Sequence, residues 1–338
     1  MEHREAKPLF ILNPKYMPRR TQMQRETRLE RLCGCYVTVP TMFRDYDLEL
    51  DLPAMNKHAR FLIDGGLGTG NGVVLVGGAA GDFSTMNFDE RVEAVETVVQ
   101  EAQGRVPVVM GAQTTNTREL VALAKAAERV GAEYIQVSPP YYFASTEDDF
   151  YEYVVAAAEA ADVGIVVYNT HWTSSDVSLD MVDRLVELDN VVGLKWSVPG
   201  LGYMAFERAI VRFAKRLSVI DNQLRYVTSH MMGARGIELH PTNYWPQWGV
   251  RTWQLLESGQ YVDAQKEMIR VVMPFYVVWE EVAKYTAGDG HLDKLCLELV
   301  GMGSSRSRPP TRDIRDQFRE QVRQMMLECE VPGVIPAQ

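Results

Sequence analysis

The feature that most constrains this chain is an eightfold alternation. From Cys35 onward, short apolar runs rich in β-branched residues alternate with longer segments of helical periodicity. The runs lie at 35–41, 72–76, 106–111, 134–137, 164–168, 191–196, 217–220 and 236–240. Amphipathic helices are predicted after them, at about 52–63, 89–102, 117–130, 148–161, 179–187, 204–213, 226–232 and 248–257. Parallel strands with helices packed over them read as nearly continuous apolar runs, and these do. Eight strand–helix pairs over roughly 220 residues predict an α/β chain folded as a closed (β/α)8 TIM barrel rather than an open sheet.

An open dinucleotide-binding sheet needs a glycine-rich turn leading from an early strand into a helix. Gly65-Gly66-Leu67-Gly68-Thr69-Gly70 has the glycines, but it follows a helix and precedes a strand, so it reads as a helix-terminating loop. Residues 1–34 form an N-terminal extension interrupted by Pro8, Pro14 and Pro18. Arg19, Arg20, Arg25, Arg28 and Arg31 make it basic, and it reads as a solvated arm or a short helix packing on a neighbour. The barrel is expected to occupy 35–258. Residues 259–338 are expected to be a C-terminal helical appendage, with helices at 261–284, 291–300 and 313–329.

Charge and composition narrow the function. Lys+Arg 35 against Asp+Glu 45 gives a net charge of −10, which disfavours nucleic acid as a partner. No apolar run reaches the roughly 18 residues of a membrane span, so no membrane partner is expected. The four cysteines do not form a disulfide framework, and Cys33 and Cys35 lack further ligands for a metal. A cytoplasmic location is expected.

Barrel enzymes carry their reactive groups at the C-terminal ends of the strands. The sixth run ends Gly193-Leu194-Lys195-Trp196. A lysine in an apolar strand either reaches solvent or faces the barrel interior, where burial favours the neutral amine that attack on a ketone requires. Tyr168 ends the neighbouring run and is placed to exchange protons with an intermediate on that amine, or to serve as core. The turn Gly77-Gly78-Ala79-Ala80-Gly81 exposes backbone amides suited to a carboxylate. His171 and His240 are candidate acids, bases or wall residues. Glu238 either points inward as a base or pairs with an arginine such as Arg235.

Gly77-Gly78-Ala79-Ala80-Gly81-Asp82, Pro140-Tyr141-Tyr142, Tyr168-Asn169 and Gly193-Leu194-Lys195, in this order and spacing, resemble the dihydrodipicolinate synthase and N-acetylneuraminate lyase superfamily of Schiff-base-forming enzymes. The resemblance runs from about Cys35 to near Val331. It implies that Lys195 forms an imine with a 2-oxo acid, usually pyruvate, and that Tyr168 transfers protons. Gly78, Ala79 and Ala80 would hold the carboxylate through the backbone. Tyr142 would reach across a subunit interface, making the protein a homodimer or homotetramer. No metal or cofactor is called for, because a protonated imine is its own electron sink.

Departures from the pattern bear on the second substrate. The synthases carry two threonines where Ala79 and Ala80 stand, an arginine at Thr173, and often a glutamate at Trp196. The rings of Trp172, Trp196, Tyr244 and Trp245 suggest a bulky or aromatic aldehyde partner, with Thr173, Trp196, Glu238 and His240 in its binding site. The leading expectation is therefore a class I aldolase or lyase acting on pyruvate or a related 2-oxo acid. A dehydratase or hydratase of a sugar-derived 2-oxo acid, working through the same imine, is the alternative within that chemistry. A non-catalytic 2-oxo-acid-binding barrel is the alternative outside it.

Overall fold

The structure, a computed structural model, describes residues 22–200, 204–304 and 306–336. Eight parallel strands close into a barrel in chain order, the last pairing with the first. They are β1 Gly34–Val39, β2 Gly72–Val76, β3 Val108–Gly111, β4 Tyr134–Val137, β5 Gly164–Tyr168, β6 Val191–Trp196, β7 Ser218–Asp221 and β8 Gly236–Glu238. The expected (β/α)8 TIM barrel is the observed fold. Outside the strands lie α2 Leu52–Asp64, α3 Phe88–Ala102, α4 Thr117–Val130, α5 Glu147–Ala160, α6 Leu179–Leu185, α7 Ala205–Phe213, α8 Tyr226–Met231 and α9 Pro246–Glu257. Local chemistry starts several of these helices. Asn87, Asn116, Thr146 and Ser178 each accept a hydrogen bond from the backbone N–H three residues on, which satisfies a donor the helix leaves free.

Strand side chains alternate between two cores. Outward residues such as Val37, Val74 and Leu194 pack under the helices, whereas Tyr36, Val73, Leu75, Val109, Val166, Val192 and Ile220 fill the barrel interior. The β5–β6 register shifts between Ile165 and Val166, where Val192 has no partner opposite. Beyond this bulge, Tyr168 sits directly beside Lys195.

Within the extension expected to be a solvated arm or a short helix packing on a neighbour, Gln22–Arg31 form a helix, α1, that closes the floor of its own barrel. Leu29 and Leu32 join the interior cluster. Arg25 donates to the carbonyls of Leu188, Asp189 and Arg216, and Arg31 pairs with Glu133. Arg25, Arg28 and Arg31 are thus consumed by carbonyls and carboxylates around the strand N-termini. Residues 1–21 of the extension lie outside the described residues.

After α9 the chain is helical: α10 Tyr261–Glu267, a π-helical turn Met268–Val272, α11 Met273–Ala283, α12 His291–Leu299 and α13 Arg315–Glu328. The helix expected at 261–284 is continuous over 261–283, with that π turn inside it. No helix among the described residues is long and apolar enough to cross a membrane.

Candidate active site

Along the barrel axis the interior changes from apolar to polar. Above the floor of Leu32, Val73 and Ile220, the Tyr36 hydroxyl donates to Gln136 Oε1 at 3.0 Å. One layer higher, inward positions carry Thr38, Tyr168, Lys195, Asn222 and Glu238, all lining a cavity of about 790 Å³ at the C-terminal mouth. The polar side chains lining this cavity thus gather at the strand C-terminal ends, where barrel enzymes keep their chemistry.

Lys195 is 4% exposed and faces the interior. Its Nζ forms an ion pair with Glu238 Oε2 and lies 4.5 Å from the centre of the Tyr168 ring and 5.1 Å from that of Tyr36. Thr38 Oγ1 donates to the other Glu238 oxygen at 2.6 Å, fixing the carboxylate. This resolves the two readings of Glu238: it points inward to Lys195, while Arg235 is near Glu257 on the outside. Asn222 Nδ2 donates to Tyr168 Oη at 3.3 Å, leaving the phenol proton free to point elsewhere. Burial pushes the Tyr168 phenol well above its ordinary value, with Glu238 and Asp289 adding to the effect, so it is a proton donor at neutral pH.

The turn after β2 lies at one wall. Ala79 and Ala80 line the cavity. Gly78 does not, and serves packing instead: a Cβ there would stand 2.7 Å from Leu75 Cδ2 and 2.8 Å from Thr38 Cγ2. His240, just after β8, also lines the cavity, its Nδ1 held 2.8 Å from Asp293 Oδ2. Burial alone would lower its pKa, but the charge and hydrogen bond of Asp293 outweigh this and raise it to about 10. His240 is accordingly an imidazolium at neutral pH. Asn243, donating to the other Asp293 oxygen at 3.2 Å, braces the pair.

Some expectations are corrected. Trp196 is not a substrate contact. With side chains alternating along β6, Lys195 inward sends Trp196 outward, where it is 2% exposed and packed under the helices. Tyr244 and Trp245 also belong to that outer core and do not line the cavity. Of the four rings, only Trp172 does. The apolar wall is supplied instead by Phe83, Tyr141, Tyr142, Leu224, Tyr276 and Trp279. Thr173 sits at the mouth, its hydroxyl donating to the Thr170 carbonyl at 3.3 Å. Tyr142 is 86% exposed at the rim, edge-on to Phe143, with a backbone φ of +89°. His171 packs edge-on against Trp172 and does not line the cavity.

Sequence reasoning missed the cavity residues Thr38, Asn222, Tyr276 and Asp289. The period-two pattern marks Thr38, two residues after inward Tyr36, and Asn222, two after inward Ile220. No comparable signal exists for Tyr276, on α11, or for Asp289, on the segment between α11 and α12.

Residues 32–328 match the model of the dihydrodipicolinate synthetase family. The 4-hydroxy-tetrahydrodipicolinate synthase of Afipia carboxidovorans is 31% identical over 77% of this chain and 85% of that protein. The enzyme of the same name from Rhodopseudomonas palustris is 37% identical over 52% of this chain, a stretch spanning 57% of its own length. Among solved structures, the dihydrodipicolinate synthase of Acinetobacter baumannii, complexed with pyruvate, superposes with a TM-score of 0.78 at 21% identity. That match covers 88% of this chain and 99% of that one, and it is a likeness of fold.

Proposed function

Because the chain belongs to the dihydrodipicolinate synthetase family, we propose that it is a lyase that binds pyruvate or a related 2-oxo acid as an imine on Lys195 and makes or breaks a carbon–carbon bond to an aldehyde. The observation that carries this reading is the buried Lys195 amine in contact with Glu238 and beside Tyr168. Glu238 takes a proton from the ammonium, and the free amine attacks the ketone carbon. Tyr168, kept protonated by burial, donates to the departing hydroxyl so that water leaves and the imine forms. The imine then drains electron density from the adjacent carbon, and the Tyr168 phenolate left by that donation takes a proton from it to give the enamine nucleophile. Amides of the Ala79–Ala80 turn are placed for the 2-oxo-acid carboxylate.

The second substrate is proposed to be a neutral aldehyde bearing a ring or a bulky apolar group. No arginine lines the cavity among the described residues, so nothing there matches a second carboxylate in the bidentate way a guanidinium does. Phe83, Tyr141, Trp172, Leu224 and Trp279 offer apolar surface in its place. A homodimer or homotetramer is proposed as the working assembly, supported by the exposed Tyr142–Phe143 pair at the rim.

Borohydride reduction in the presence of pyruvate tests the reading. A stable adduct is expected on the peptide containing Lys195, absent from Lys195→Ala and from Lys195→Arg, whose guanidinium stays protonated. An adduct on a different lysine, or full turnover by Lys195→Arg, would refute imine chemistry at this residue.

A further inference from the structure

Asp289 lines the same cavity as Lys195 but comes from outside the barrel, on the Gly288-Asp289-Gly290 segment between α11 and α12. That segment is seated directly on the turn after β2. A Cβ on Gly290 would fall 2.0 Å from the Ala80 carbonyl oxygen, so only glycine permits the approach. Gly288, at φ +121°, takes a backbone conformation that side chains disfavour. Two glycines and the Ala79–Ala80 turn thus fix where the Asp289 side chain hangs.

Its surroundings are unlike those of the other carboxylates at the mouth. Glu238 is held by Lys195 and Thr38, and Asp293 by His240 and Asn243. Asp289 makes no hydrogen bond or ion pair among the described residues, and it is half-buried in the cavity wall. A half-buried carboxyl that lines a cavity and has no protein partner keeps its oxygens available to a molecule bound there. Burial raises its pKa, the His240 imidazolium and Lys195 act against this, and Asp293 and Glu238 reinforce it.

We propose that Asp289 is a further catalytic residue, the acid–base group for the oxygen of the aldehyde partner. The inference rests on the imine reading and adds the group that serves the second substrate. In the joining direction, the enamine carbon bonds to the aldehyde carbon. The C=O π pair moves onto oxygen, which takes the Asp289 proton and becomes a hydroxyl. In cleavage, the Asp289 carboxylate takes that proton back, the carbon–carbon bond breaks, and its electron pair flows into the imine as the enamine reforms. The substrate class is then a 4-hydroxy-2-oxo acid. The division of labour follows from position: Tyr168 and Glu238 attend the lysine nitrogen from the barrel, and Asp289 attends the aldehyde oxygen from above.

Two half-reactions separate this inference from the reading beneath it. Exchange of pyruvate methyl protons in D2O, followed by proton NMR, needs the imine and enamine but no aldehyde. Cleavage of 4-hydroxy-2-oxo-4-phenylbutanoate to pyruvate and benzaldehyde needs both ends of the site. Asp289→Asn is expected to exchange pyruvate protons at the wild-type rate and to cleave at least 10²-fold more slowly, the usual scale for a positioned acid–base group. Asp289→Glu should recover part of the cleavage. Equal loss of both activities in Asp289→Asn, unchanged cleavage, or a wild type that exchanges but does not cleave, would each overturn the assignment. A wild type that does not exchange at all would overturn the imine reading instead.

Discussion

Tyr168 stays protonated because burial disfavours its phenolate, and its ring lies beside the lysine amine because the β6 bulge sets Lys195 opposite it. Tyr168→Phe should leave borohydride trapping of pyruvate in place while turnover falls about 10²–10⁴-fold. Loss of trapping and turnover together would make the hydroxyl structural. Lys195 and Tyr168 were legible as candidates because a polar side chain ending an apolar run stands out against its neighbours. Trp196 was misread from the same run, because aromatic content was weighed where strand alternation should have decided. Asp289 was illegible for a different reason: its place depends on the Gly290–Ala80 contact between segments about 210 positions apart, which no local pattern encodes.

At the scale of elements, the strands and outer helices could be read because each carries its own period and several carry their own caps. Strand ends shifted by one or two residues, as at β3 and β8, where ladder pairing rather than composition sets the limit. The role of α1 could not be read. Its arginines describe a solvated face until the strand N-termini supply carbonyls for them, and its apolar Leu29 and Leu32 are too few to announce a plug. Leu32 is fully buried, and a Cβ on Gly193 would meet its Cδ2 at 2.7 Å. Leu32→Ala should therefore cost about 2–5 kcal/mol in urea unfolding, with imine trapping intact because the lysine lies a layer above. A loss below about 1 kcal/mol would mean that the floor collapses onto the gap.

For the whole molecule, the exposed Tyr142 and Phe143 rings stand at the rim of a cavity that is otherwise walled by its own chain. Sedimentation at micromolar concentration should find a dimer or tetramer. Tyr142→Ala combined with Phe143→Ala should shift it toward monomer and reduce turnover in parallel. A wild-type monomer with full activity would show that one chain suffices. The sealed floor has a kinetic consequence of its own. With α1 and Leu32 stopping one end of the barrel, Lys195 is reached among the described residues from the cavity at the C-terminal mouth, which Trp172 and Asp289 both line. A 2-oxo acid lying against the lysine is underneath whatever the aldehyde occupies. On the proposed imine reading a compulsory order is expected, oxo acid first and aldehyde second, with the aldehyde departing before the imine is hydrolysed in cleavage. Excess aldehyde is then expected to block the entrance to the empty enzyme, an inhibition that initial-rate measurements should find relieved by more oxo acid.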